Sequence, residues 1–84
     1  MNGTIVYINH RRGMIAIQLE NGSYTVSEHI DSCNLEVGQR VRGPLGSPGC
    51  EYLYNIDEQE RFEVCNEWCE ISENQAKRAL AQFL

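Results

Sequence analysis

Apolar and polar positions change their period along the chain, from strand-like spacing in the first 56 residues to helical spacing at the end. Gly3-Thr4-Ile5-Val6-Tyr7-Ile8 is dense in β-branched and aromatic residues and predicts a first strand, broken by the polar run Asn9-His10-Arg11-Arg12-Gly13. Met14 to Glu20 alternates strictly. Ile15, Ile17 and Leu19 fall on one face, which predicts core, and Met14, Ala16, Gln18 and Glu20 on the other, which predicts contact with water or a ligand. Asn21-Gly22 then supplies two residues that tolerate positive φ, predicting a type I′ hairpin turn with Ser23 to Ser27 as the returning strand. His29 to Glu36 has no clear period and reads as a loop, and a short strand resumes within Leu35 to Gly43. Both prolines and three glycines fall in Gly43 to Gly49, a second loop, and a fifth strand is predicted over Cys50 to Ile56.

The last third is less uniform. Arg61-Phe62-Glu63-Val64 alternates as a strand does, while Val64, Trp68 and Ile71 also fall at helical spacing; a strand is the preferred reading. Ser72-Glu73-Asn74-Gln75 has the form of an N-cap with a Gln three residues on. Ala76, Ala79, Leu80 and Phe83 continue it as one apolar stripe, which predicts a terminal amphipathic helix lying close against the barrel, with Phe83 and Trp68 as the large buried groups there. The expected fold is mainly β: a five-stranded barrel, because closure removes the edges a flat sheet leaves exposed, with an additional strand or turn and a C-terminal α-helix. An 84-residue chain supports one domain, read as a barrel over 1–57 and an extension over 58–84.

Charge sharpens that division. The first fifty residues carry four arginines against four acids, and residues 51–84 carry three cations against eight acids, so the net −5 lies wholly in the C-terminal part. A net acidic chain has no general attraction for phosphate, and any nucleic-acid binding must come from a local patch. No apolar run reaches the ~18 residues needed to span a bilayer, and the N-terminus lacks a secretion signal, which predicts a cytoplasmic protein without a membrane partner.

The order of strands and loops resembles the cold-shock domain, a five-stranded barrel of the OB class that binds single-stranded nucleic acid. Gly3-Thr4-Ile5-Val6-Tyr7-Ile8-Asn9 is similar to the family's opening G-x-V-K-W-F-N, and Arg12-Gly13-Met14-Ile15-Ala16-Ile17 stands where its K-G-F-G-F-I does. Leu35 to Val41 is similar to L-x-x-G-Q-x-V, and Gly46-Ser47-Pro48-Gly49 to a G-x-x-G before the last strand. The resemblance spans about Gly3 to Ile56 and implies the fold more than the activity. Its departures fall on the binding surface, where the family stacks bases on aromatic rings. Tyr7 keeps a ring there, but the two motif phenylalanines correspond to Met14 and Ala16. The family's V-F-V-H-F corresponds to Tyr24-Thr25-Val26-Ser27-Glu28, which places Tyr24 inward and a negative charge at Glu28.

Two function classes follow. The first is a small non-enzymatic protein binding single-stranded RNA or DNA weakly through Tyr7, Arg11, Arg12 and Met14, with Arg40 and Arg42 extending the patch if the fourth strand lies near it. The second is a protein-interaction or regulatory module that keeps the barrel and meets a protein partner, or a second copy, through residues 58–84 with Phe62, Trp68 and Phe83. No nucleophile, base and orienting group assemble from the serines, His10 and His29, so an enzyme is not expected. Of Cys33, Cys50, Cys65 and Cys69 only the last two have metal-like spacing; reduced thiols are expected, with no metal or cofactor and no disulfide.

Overall fold

The computed structural model describes residues 1–81, which form β1 (Asn2–Asn9), β2 (Met14–Leu19), β3 (Tyr24–His29), β4 (Arg40–Arg42), β5 (Gly49–Asn55), β6 (Glu60–Ile71) and α1 (Glu73–Ala81). All the strands pair antiparallel and close into a barrel in the order β1-β2-β3-β6-β5-β4. The barrel therefore has six strands where five were expected. Residues 60–71, expected outside the barrel, form its longest strand and close it between β3 and β5. That position decides between the two periods the sequence left open.

Strand alternation divides the apolar residues into two separate cores on either side of the barrel wall. Inside lie Ile5, Ile15, Ile17, Leu19, Val41, Leu53, Phe62 and Val64, with Leu35 and Leu45 supplied by loops. The interior also holds polar groups, each with a partner. Thr25 donates from Oγ1 to the Leu45 carbonyl at 2.7 Å, Ser27 donates to Asn66 Oδ1 at 2.6 Å, and Asn66 Nδ2 donates to the carbonyls of Pro44 and Ser47. These bonds hold loop 43–48 against the barrel, with Leu45 fully buried. Gly3 lets β1 and β2 approach: a Cβ there would stand 2.5 Å from the Ile17 side chain.

The second core lies outside the wall, where α1 crosses it. Met14 and Ala16 of β2 and Tyr24 and Val26 of β3 pack against Ala76 and Ala79, with Val6, Tyr7, Trp68 and Ile71 at the margin. A β-bulge between Ile5 and Tyr7 turns two successive residues of β1, Val6 and Tyr7, toward this face. The helix starts as predicted: Gln75 N–H donates to Ser72 Oγ at 3.2 Å, and Ser72 N–H donates to Gln75 Oε1 at 2.9 Å. Phe83, expected in its stripe, lies outside the described residues.

Three local expectations are corrected. The β2–β3 connection is not a two-residue type I′ turn. Gly22 N–H donates to the Leu19 carbonyl, Leu19 N–H donates to the Ser23 carbonyl, and Gly22 alone is left-handed, at φ 87°. Tyr24 points outward, because Thr25 and Ser27 take the interior positions of β3. Cys50 and Cys65 form a disulfide, since they stand directly opposite on β5 and β6 despite a sequence separation of 15.

Candidate nucleic-acid interface

The face predicted to meet a ligand is occupied by the protein's own helix. Met14 is 2% exposed beneath α1 and is not available as a contact. Tyr7 keeps part of its surface, but its hydroxyl donates to Glu73 Oε2 at 2.9 Å, and Lys77 Nζ lies 5.6 Å from its ring centre. At the far end Asn9 Nδ2 donates to the Leu80 carbonyl at 3.2 Å. Burial, reinforced by the nearby Glu73 carboxylate, raises the Tyr24 hydroxyl above its ordinary pKa. The alternation of β2 correctly separated two faces, but a second buried surface and a wet one carry the same period.

The arginines do not gather into one patch. Arg11 and Arg12 lie exposed in the turn after β1, and Arg12 borders a depression it shares with Met14, Glu28 and Glu67. β4 pairs with Asn2 to Thr4 at the opposite end of β1. The five residue steps from Thr4 to Asn9 span roughly 16 Å at strand rise, so Arg40 and Arg42 do not extend the Arg11–Arg12 loop. Arg40 is moreover engaged. Its guanidinium donates to Asp57 Oδ1 from Nη2 at 2.7 Å and from Nε at 3.2 Å, and its backbone N–H donates to Asp57 Oδ2 at 2.6 Å. This side-chain pairing, with the backbone bond, holds the Asp57 carboxyl below its ordinary pKa although Asp57 is at the surface.

A different face is open and basic. Successive outward positions of β5 are Cys50, Tyr52 and Tyr54, and across the ladder Arg42 of β4 and Arg61 of β6 stand on either side of Tyr54. The Arg42 guanidinium lies 5.1 Å from the Tyr54 ring centre, and the Arg61 guanidinium 4.4 Å from that of Tyr52. Tyr52 is 53% exposed. These four side chains border a shallow depression of about 400 Å³ that reaches Met1 and Gly43. Glu63, opposite Tyr52, brings one negative charge to the rim. The hairpin under this face is fixed at both ends: Asn55 Oδ1 accepts the N–H groups of Asp57 and Glu58 at the turn, and the Cys50–Cys65 disulfide closes the other end.

No protein-family model, curated protein or solved structure matches this chain.

The remaining candidates separate clearly. Phe62, expected at a partner surface, is 1% exposed inside the barrel, because its alternation places it inward with Val64. Trp68 is half-buried beside Ile71 and α1. His29 Nε2 and Asp31 Oδ1 are 2.6 Å apart, and Asp31 also accepts the N–H groups of Glu63 and Cys33. Burial raises the Asp31 pKa, but these hydrogen bonds outweigh it and the net shift is downward. The Cys33 thiol donates to Glu60 Oε1 at 3.0 Å, and its pKa is pushed up to about 12, first by that bond and then by burial. Cys33 is thus held as a thiol donor and lacks the thiolate character of a nucleophile. Among the described residues no three His, Cys, Asp or Glu side chains are arranged to hold a metal ion, and no helix is long and apolar enough to cross a membrane.

Sequence reasoning missed Tyr52, Tyr54 and Arg61. The signal was present: Tyr52 and Tyr54 sit at i and i+2, on one face of a strand. What was lacking was the pairing of residues 49–55 with 60–66, which brings Arg61 beside them.

Proposed function

We propose that this protein is a small non-enzymatic binding barrel, OB-like and similar in form to the cold-shock domain, whose ligand is single-stranded nucleic acid. One observation carries the reading. In a chain with twelve acids, Arg11, Arg12, Arg42 and Arg61 make no ion pair among the described residues, where only Arg40, Lys77 and His29 do. Guanidinium groups left free of carboxylates in an acidic protein are available to phosphate. The net charge of −5 opposes long-range attraction, so binding is local, modest in affinity and steeply weakened by salt.

The test is fluorescence anisotropy of labelled single-stranded RNA and DNA, with a duplex as control, at low and at physiological salt. The expected result is saturable binding of single strands that weakens with salt, with little binding of the duplex. Absence of binding at high micromolar protein and low salt overturns the reading. It would leave a protein partner as the alternative, with half-buried Trp68 and the exposed Glu67 and Glu70 as the groups residues 58–81 can offer.

A further inference from the structure

We propose that the bound strand lies on the outer face of β4, β5 and β6, where Tyr52 and Tyr54 stack bases and Arg42 and Arg61 meet phosphates. The inference rests on the nucleic-acid reading above and adds to it a place and a mode of binding. Stacking on aromatic rings tolerates any sequence because every base has a π-face, and guanidinium planes extend such a platform. One exposed ring, Tyr52, one half-buried ring, Tyr54, and two arginines without carboxylate partners meet here on three adjacent strands. Tyr52 and Tyr54, two residues apart on one face, are separated by about 7 Å along the strand, enough for each ring to take its own base.

The alternatives on the molecule each lack one component. The β1–β3 wall has rings, in Tyr7 and Tyr24, but α1 covers it. The Arg11–Arg12 loop has charge, but its neighbouring depression is bordered by Glu28 and Glu67. The β4–β6 face carries Arg42 and Arg61 against Glu63 alone in its immediate pairing, and it is already ordered. Its hairpin is closed by a capped turn and a disulfide, so little backbone freedom is lost when a ligand settles there.

The experiment compares two sets of full-length variants by anisotropy, with thermal melts confirming that each is folded. Tyr52→Ala and Tyr54→Ala are each expected to weaken binding about tenfold or more, and Tyr52→Phe and Tyr54→Phe to bind within about twofold of the wild type, because the ring is what stacks. Arg42→Ala and Arg61→Ala are each expected to lower the slope of log affinity against log salt by about 0.7. The double variant Arg11→Ala, Arg12→Ala is expected to weaken binding less than either Tyr52→Ala or Tyr54→Ala does. RNA and DNA are expected to bind alike, since bases and phosphates are common to both; a hundredfold preference for either overturns the stacking mode. If the wild type binds and loses binding with Arg11 and Arg12 while the tyrosine variants keep it, the location is wrong and the function stands. If the wild type binds neither single strand, the functional reading itself fails.

Discussion

The barrel presents two outer faces that alternate in the same way and end differently. On β2 and β3 the outward residues are Met14, Ala16, Tyr24 and Val26, and a helix that buries only Ala76 and Ala79 seals them. On β5 and β6 the outward residues are Tyr52, Tyr54, Arg61 and Glu63, and among the described residues no helix crosses them. The first face is completed by shape, because two small side chains allow α1 to approach the sheet closely. The second carries charge that a packed helix could not bury without leaving guanidinium groups unpaired. What an outer face of a small barrel does is therefore decided by the element that follows the sheet, and not by the period of its strands.

Variants on each side sharpen that contrast. The largest effect is expected on the open face, where the disulfide closes a loop of 15 residues in sequence separation. The double change Cys50→Ser, Cys65→Ser should lower stability by about 3 kcal/mol in urea unfolding, through the freedom regained by the unfolded chain. Reductant should produce the same shift in the wild type and none in the variant. Next comes the covered face. Ala76→Leu adds three carbons at a fully buried helix contact and should cost about 2 kcal/mol. Hydrogen exchange should show the loss confined to α1, with the strand amides keeping their protection. Ser72→Ala removes the hydroxyl that accepts the Gln75 N–H and should cost about 1 kcal/mol, read as a lower thermal midpoint.

The smallest effect concerns pH. Asp31 and Asp57 have depressed carboxyl pKa values in the folded protein. The stability they confer is complete above the ordinary aspartate value of 3.8 and is lost as pH falls through their folded values. Asp31→Asn should therefore be less stable than the wild type at neutral pH, and the gap should close on acidification. A gap that stays constant from neutral pH down to about 2 would show that the Asp31 hydrogen bonds do not depend on its charge.

The strands and the helix were legible because each rests on local signals: alternation in Met14 to Leu19, the Ser72–Gln75 box, and the break at Gly43 to Gly49. The inward and outward sets of β2 were also legible, yet their meaning was not. Met14 and Ala16 look solvent-facing in alternation, and only the docking of a helix about sixty residues later buries them. β6 was ambiguous for a related reason. Its positive-φ residue, Glu70 at 55°, and the register shifts against β3 interrupt the strict alternation after Asn66. Nor does spacing along the chain reveal that Cys50 faces Cys65, since strand partners are set by the turn at Ile56 to Gln59 and by barrel closure. The candidate site escaped for the same reason, because it is assembled from three strands and is visible in none of them alone.

The loop at residues 43–48 sets where this chain tolerates interruption. Its carbonyls at Pro44, Leu45 and Ser47 accept bonds from Thr25 and Asn66 inside the barrel, and a Cβ at Gly43 would stand 2.6 Å from the Leu53 side chain. It acts as a stopper seated in the barrel. Inserted residues, or new termini made by circular permutation, are accommodated at Asn21-Gly22, where a Cβ on Gly22 meets open space. The same change at Leu45 withdraws the stopper and leaves Thr25 and Asn66 without their acceptors. Of these two connections, one tolerates interruption and the other is part of the core.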